Sequence, residues 1–294
     1  MQPFHPVWIF ATIFGTFWNV LDGGSSLAMA EENSLQVMTY NIRFANRGDG
    51  EDVWGNRHDS VGKVIQAADI VGLQEVTAPQ LRDIEERTKA LTWYGVGRDD
   101  GKAGGEFSPV GYRTERFEAQ EQGTFWLSPT PEQVGSRGWD AALPRIASWM
   151  RLKDLQTGET WLVVNTHFDH VGAEARLESA KLIHAKVQQM ADGQHVIVMG
   201  DLNTAPDSAP LKALTSADQP VVLQDTRVRS QSAPAGPTGT WNGFKAINPN
   251  VRIDFILTSP QVTVLAHETL DPKTPNGRFA SDHLPVQAKL SVSP

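Results

Sequence analysis

The sequence predicts a mixed α/β protein built in layers, and three observations predict it. Short runs rich in β-branched and aromatic residues outnumber the helical stretches. Helical stretches fall between some of those runs rather than in a separate block. Two runs, at 161–165 and 195–199, are continuously apolar, as strands buried on both faces are. In chain order, strands are expected at 35–40, 68–73, 109–113, 117–127, 146–152, 161–165, 195–199, 251–257, 262–266 and 284–290. An amphipathic stretch at 57–67 precedes the second of these. A helix is expected at 79–90, with Thr77 as its cap. Another at 173–191 places Leu177, Ala180, Ile183, Val187 and Met190 at helical spacing, and Gly193 follows as a stop signal. The Gly- and Pro-rich loops at 95–106 and 230–239 read as surface excursions, so no linker divides the chain after its first thirty residues.

With 294 residues, 40% hydrophobic and 20% charged, the chain can bury a full core and is not a disordered type. It shows no repeat of fixed period. Residues 1–30 differ from the rest. They hold no Lys or Arg, carry an apolar stretch from Val7 to Leu21, and end in Ala28-Met29-Ala30. Small residues two apart at such a boundary fit signal-peptidase cleavage after Ala30. Residues 1–30 are therefore read as a signal peptide and 31–294 as one exported domain, periplasmic or secreted, with no membrane span expected in the mature chain. There are no cysteines, which excludes disulfides, thiolate nucleophiles and thiolate metal sites. Any metal must be held by Asp, Glu, His and Asn, and oxygen-rich donors favour Mg²⁺, Mn²⁺ or Ca²⁺. The formal charge is −8, and removal of Asp22 with residues 1–30 leaves −7. Proteins that grip long duplex DNA present a basic face, and no Lys/Arg cluster occurs here. Stable duplex DNA binding is not expected. A nucleotide, a short single strand or a small phosphorylated molecule fits better.

The chemistry gathers where apolar runs end. The first run leads into Asn41, the second into Gln74-Glu75, and 161–165 into His167, Asp169 and His170. The run 195–199 leads into Gly200-Asp201-Leu202-Asn203, Asp254 follows Val251-Arg252-Ile253, and Ser281-Asp282-His283 precedes the last strand. Carboxylates, amides and imidazoles placed where buried strands emerge can converge at one rim of a sheet. Taken singly, each has a plainer explanation. A Gly-Asp-x-Asn turn caps its own backbone, a His beside an Asp is often a structural pair, and Glu75 could serve as a helix-terminus charge. Six coincidences in order, all at strand ends, are hard to assign to turn chemistry.

As a set, Met38-Thr39-Tyr40-Asn41-Ile42-Arg43, Gln74-Glu75, Asn165-Thr166-His167-Phe168-Asp169-His170, Gly200-Asp201-Leu202-Asn203, Arg252-Ile253-Asp254-Phe255-Ile256 and Ser281-Asp282-His283-Leu284-Pro285-Val286 resemble the endonuclease/exonuclease/phosphatase superfamily. The resemblance runs from Leu35 to Leu290. It implies a DNase I-like, four-layered α/β sandwich of two facing mixed β-sheets flanked by helices. It implies a phosphoesterase that uses Mg²⁺ or Mn²⁺, with Glu75 as principal ligand and Asn41 and Asp282 beside it. Asp201 would orient or deprotonate the attacking water, and Asn203 would hold that water or a phosphate oxygen. His283 would contact the phosphate with Asp254 fixing its tautomer, which leaves Asp201 and His283 both open as the base. His167 would donate to the phosphate or assist the leaving group.

On the substrate side, Arg43 stands where some nucleases carry Asp and offers a phosphate contact. Arg145 either reaches the phosphate or makes a structural ion pair. His170, with Asp169, supports a second metal or holds the loop. Trp241 and Phe244 either stack on a base or sugar or belong to the core. The resemblance points first to a phosphodiesterase or nuclease. The alternative is a phosphatase or phosphodiesterase on lipid headgroups or sugar and inositol phosphates, and a non-catalytic binding module would require gaps among these positions that the chain does not have.

Overall fold

The structure, a computed structural model, describes residues 1–4, 33–218 and 221–292. From position 5 onward, the segment read as a signal peptide lies outside the described residues. Among the described residues no helix is long and apolar enough to cross a membrane.

Two six-stranded sheets face each other. The first runs, in spatial order, β11 (Val262–Thr269), β12 (Val286–Val292), β1 (Leu35–Asn41), β2 (Ile70–Gln74), β4 (Val110–Arg113) and β3 (Leu91–Tyr94). The second runs β5 (Phe117–Trp126), β6 (Ile146–Asp154), β7 (Thr160–His167), β8 (His195–Asp201), β10 (Asp254–Thr258) and β9 (Gln224–Asp225). β1 and β2 pair in parallel, as do β7 and β8, and the other pairs are antiparallel, so both sheets are mixed.

Side chains alternate across a strand, and here both faces are covered. Val37, Ile70, Val163, Ile197 and Ile256 fill the space between the sheets. On the outer face of the first sheet, Met38, Tyr40 and Leu73 meet α1 (His58–Ile65) and α2 (Ala78–Arg87) through Val61, Ile65 and Ile84. On the outer face of the second, Val164, Val198 and Phe255 meet α3 (Ala173–Met190) and α4 (Ala209–Thr215) through Ile183, Val187 and Leu211. The result is helix, sheet, sheet, helix, the DNase I-like arrangement expected from the resemblance. Double coverage explains why these strands read as unbroken apolar runs.

Local signals explain most boundaries. Thr77 and Gln80 form a capping box at the start of α2. That helix stops at Arg87 and not at residue 90, because the Thr88 hydroxyl bonds back to the Ile84 carbonyl and Leu91–Tyr94 is drawn into the sheet edge as β3. The strand expected from 251 starts only at Asp254, since the Ile253 and Asp254 amides are taken by the Thr240 hydroxyl. The two sheets approach closely at Gly72, where a Cβ would lie 2.6 Å from Cγ of Asn165. Asn165 uses that room to bridge the layers, donating to the carbonyls of Leu73 and Pro109 and accepting from Gln74. The bridge is fully buried and fixes the separation of the strand ends that carry the polar residues.

Candidate active site

Parallel pairing brings the carboxyl ends of β1 and β2 level, with Asn41 opposite Gln74. The same holds for β7 and β8, where His167 lies opposite Asp201, and the antiparallel β10 places Asp254 opposite Asp201. Backbone bonds from Asn242 and Gly243 to Asp282, and the pairing of Trp241 with His283, bring in the two remaining segments. A cavity of about 380 Å³ opens there. Glu75, Asp282, Asp201, Asn203, His167 and His283 line it. Arg43, Arg145, His170 and Trp241 complete the set of expected residues on its wall.

Three of the non-glycine residues on the cavity wall sit in the left-handed region: Arg43 (φ 56°), Glu75 (φ 59°) and Asn203 (φ 45°). Each costs about 1–3 kcal/mol and persists only where surrounding contacts over-determine it. The contacts are visible. The Arg43 amide donates to Oδ1 of Asn41 at 3.0 Å, and the Phe44 amide to Oε2 of Glu75 at 3.1 Å. Asn41 then donates through Nδ2 to Oε1 of Glu75 at 3.1 Å and to Oδ2 of Asp201 at 3.0 Å. The amide of Asn203 donates to Oδ1 of Asp201 at 2.9 Å. The Glu75 and Asp201 carboxylates are thus held by the backbone turns that follow β1 and β8.

A chain of polar contacts links the two imidazoles. His283 Nδ1 lies 3.0 Å from Oδ2 of Asp254, and its Nε2 is 3.7 Å from Oδ2 of Asp201. Burial alone would lower the His283 pKa, but Asp254 and Asp201 overcome it and hold the ring protonated well above the ordinary range. Burial, with Asp254 next, pushes the Asp201 carboxyl up to about 7. His167 is the opposite case. Burial, then Arg145 and Arg98, lowers its pKa well below the ordinary value, so it stays neutral. The Phe168 carbonyl accepts from Nδ2 of Asn203, which orients that amide, and the same nitrogen donates to Nε2 of His167 at 3.1 Å. Nε2 of His167 also lies 3.4 Å from Oδ2 of Asp201, and its Nδ1 faces Oε2 of Glu106 at 3.9 Å.

Glu106 was not anticipated. It closes the glycine-rich loop expected to be a surface excursion, yet it lines the cavity and is clamped by Arg98 at 2.8 and 3.1 Å. The loop is held against itself by Gly97–Lys102, Arg98–Glu106 and Asp99–Gly104 backbone bonds, which turn its last residue inward. The only sequence signal was a lone Arg and a lone Glu bracketing a Gly-rich stretch. The second such loop, after residue 230, is strapped along β11 by bonds from Gln231, Ser232 and Ala235.

Three expected residues stand elsewhere than on the cavity wall: Asp254, buried behind His283 and bonded to its Nδ1, Asn41 and Phe244. Asn41 is fully buried behind Glu75, with its oxygen engaged by the Arg43 amide and its nitrogen by the two carboxylates. It orients Glu75 and offers no oxygen to the cavity. Phe244 is turned away and packs over the Arg57 guanidinium at 5.5 Å. For Arg145 both readings meet: it lines the cavity, pairs with Asp169 at 3.3 Å and contacts His170 Nδ1 at 2.9 Å. Burial opposes ionisation of Asp169, but the amides of Gly172, Ala142 and Val171 and then Arg145 outweigh it and keep the carboxylate charged.

The donors suit a hard divalent cation. Glu75 and Asp282 offer carboxylate oxygens to one cavity, and burial, with Glu75 adding, raises the Asp282 pKa. Crowded carboxylates of this kind are relieved by a cation. Asp201, Asp254 and His283 also lie close enough together to suggest a metal triad. Within that trio, Nδ1 of His283 is already engaged by Oδ2 of Asp254 at 3.0 Å.

A model of the Endonuclease/Exonuclease/phosphatase family matches residues 38–283. Among solved structures, an endonuclease/exonuclease/phosphatase from Bacteroides vulgatus is 37% identical with a TM-score of 0.83, covering 88% of this chain and 99% of that one. A Bacteroides thetaiotaomicron mannosyl-6-phosphatase is 37% identical with a TM-score of 0.80, covering 87% and 99%. D. rerio TDP2 complexed with single-strand DNA product shares the fold at 17% identity, with a TM-score of 0.67 and coverage of 88% and 99%. No curated protein sequence matches significantly.

Proposed function

The chain belongs to the endonuclease/exonuclease/phosphatase family, and from that premise we propose that it hydrolyses phosphate monoesters of small polar molecules, sugar phosphates foremost, with Mg²⁺ or Mn²⁺. Members of this family are phosphoesterases that use divalent metals. The observation that carries the reading is the convergence of Glu75, Asp282, Asp201, Asn203, His167 and His283 on one cavity of about 380 Å³. Similarity to the mannosyl-6-phosphatase and the acidic net charge favour the small monoester over the nuclease reading put first by the sequence.

Phosphate ester hydrolysis requires a water in line behind phosphorus while charge grows on the phosphoryl and leaving oxygens. Glu75 and Asp282 would hold the cation, which when bound neutralises phosphoryl charge. Asp201, aimed by the Asn203 amide and by Asn41, takes the proton of the attacking water. His283, charged and fixed by Asp254, donates to the phosphoryl group. His167 and Arg145 line the remaining wall, where the leaving group exits. General base catalysis contributes about 10²–10⁴-fold, and each fixed donor in a dry site about 3–4 kcal/mol.

One observation favours a second reading. Trp241 is 38% exposed at the cavity wall and offers a face for a nucleobase. Initial rates on mannose 6-phosphate, p-nitrophenyl phosphate and bis-p-nitrophenyl phosphate, with and without Mn²⁺, separate the two. A diester preference of tenfold or more would overturn the monoesterase proposal. Export rests on residues 1–30, and a mature protein beginning at Met1 would refute it.

A further inference from the structure

Arg57 is 1% exposed, and its guanidinium is surrounded by main-chain oxygens. Nε donates to the Asp52 carbonyl at 2.8 Å, and NH2 to the Arg43 carbonyl at 2.8 Å. NH1 donates to the Ile42 carbonyl and, at 3.3 Å, to that of Ala280. The faces of Trp54 and Phe244 lie 5.1 and 5.5 Å from the guanidinium carbon. Burial lowers its pKa, so the fold sustains this cation against a desolvation penalty.

The four carbonyls belong to three segments: one leads into Asp282, and another, Ile42-Arg43, supplies the amides that orient Asn41 and Glu75. Holding the carbonyls of Ile42 and Arg43 sets the two peptide planes whose amides orient Asn41 and Glu75. Gln80 grips the same Arg43 carbonyl at 2.9 Å. Holding the Ala280 carbonyl anchors the start of Ser281-Asp282-His283, and Ser281 ties that segment back to the Asn41 carbonyl at 2.7 Å. Glu75 and Asp282 are 207 positions apart in the chain (282 minus 75), so local sequence cannot set the distance between their carboxylates. A planar fork that donates in three directions can set it, and an ammonium on a flexible stem cannot.

We propose that Arg57 is a positioning residue for the cation site, fixing the separation of the Glu75 and Asp282 carboxylates through the backbone on either side. The assignment rests on the metal reading above. It gives a role to a buried charge remote from the substrate and to Phe244, which covers that charge instead of stacking on a ligand.

The test is calorimetric titration of metal-stripped, full-length protein with Mn²⁺ in the absence of substrate, paired with activity as a function of Mn²⁺. Arg57→Lys is expected to bind Mn²⁺ at least tenfold more weakly and to need correspondingly more metal for half-maximal rate. Its kcat at saturating Mn²⁺ should stay within about threefold of wild type. The control is Arg116→Lys, a buried arginine distant from the cavity, which should lose thermal stability and keep wild-type Mn²⁺ affinity. Unchanged affinity in Arg57→Lys, or an equal loss in Arg116→Lys, would overturn the proposal. Should Arg57→Lys fail to fold, Gln80→Leu removes the other hold on the Arg43 carbonyl. A severalfold loss of affinity there supports the proposal, and wild-type affinity refutes it. A wild-type protein that binds no Mn²⁺ would instead overturn the metal reading, and this assignment with it.

Discussion

The two ends of the sandwich each bury a cluster of charges, and the clusters are built on opposite plans. At the end where β1 and β2 begin, Arg116 places all five of its N–H groups. Two go to Asp154, one to Asp69, and one each to the carbonyls of Ser34 and Asn33. Asp69 is further held by Arg113 and by the Gln36 amide. At the end where β1, β2, β7 and β8 finish, Nδ1 of His167, NH1 of Arg145, Nε of Arg98 and Oδ1 of Asp254 are buried without partners. An unmatched buried polar atom costs about 1–3 kcal/mol. The Arg116 cluster is fully matched from within the chain, whereas the cavity cluster leaves several groups unmatched, as a site kept for something it binds would.

The sharpest way to break this comparison is to neutralise one group at each end. Asp201→Asn should lower kcat by about 10²–10⁴-fold while leaving the melting temperature unchanged or raised, because it removes a buried charge whose pKa burial already lifts. The wild-type carboxyl sets the pH profile too. A base must be ionised to accept a proton, so kcat/KM should fall about tenfold per unit below pH 7 and level off above it. A flat profile from pH 5 to 8 would remove Asp201 from that role.

Arg116→Met should do the reverse. It strands Asp154 and Asp69, so unfolding free energy should drop by about 3–5 kcal/mol while kcat/KM at 15 °C stays within twofold. A tenfold loss of activity in folded Arg116→Met would erase the distinction between the ends.

A third buried group lies outside both clusters and keeps acid effects from being misassigned. His267, bonded to the Thr226 hydroxyl at 2.9 Å, has its pKa lowered to about 4 by burial. The unfolded chain binds this proton below about 6.5, whereas the folded protein does so only below about 4. The stability it contributes is therefore complete above pH 6.5 and lost as pH falls from 6.5 to 4, with a ceiling of about 3 kcal/mol. Urea midpoints at pH 7 and pH 4.5 should converge in His267→Gln relative to wild type. The smallest effect is expected at Trp241→Ala, where KM should rise about three- to tenfold with kcat little changed, as loss of a binding face implies. A fall in kcat alone would place Trp241 in the chemistry.

Much of the site could be read from the chain. Residues at the ends of buried strands, namely Glu75, His167 and Asp201, were legible because an apolar run followed by a carboxylate or imidazole is a local pattern, whereas Asp254 proved to open its strand and reaches the same level by antiparallel pairing with Asp201. Phe244 was misleading, since its neighbour Trp241 does reach the cavity while Phe244 points to Arg57. Asn41, expected beside Glu75 as a metal ligand, lies behind it, and which of its amide atoms faces the carboxylates depends on the Arg43 turn. Glu106 gave only the faint signal of a lone Arg and Glu bracketing a glycine-rich loop, and Arg57, ahead of an amphipathic helix, gave none.

By itself, then, the sequence determined the layers, the double-faced burial of the strands and the chemical character of what emerges from them, because periodicity and strand ends are properties of neighbouring residues. Only the tertiary structure decided which groups meet, which are charged and which merely support. Those outcomes depend on distances between segments more than a hundred residues apart and on the loss of water around them, and neither quantity is written in any short stretch of chain.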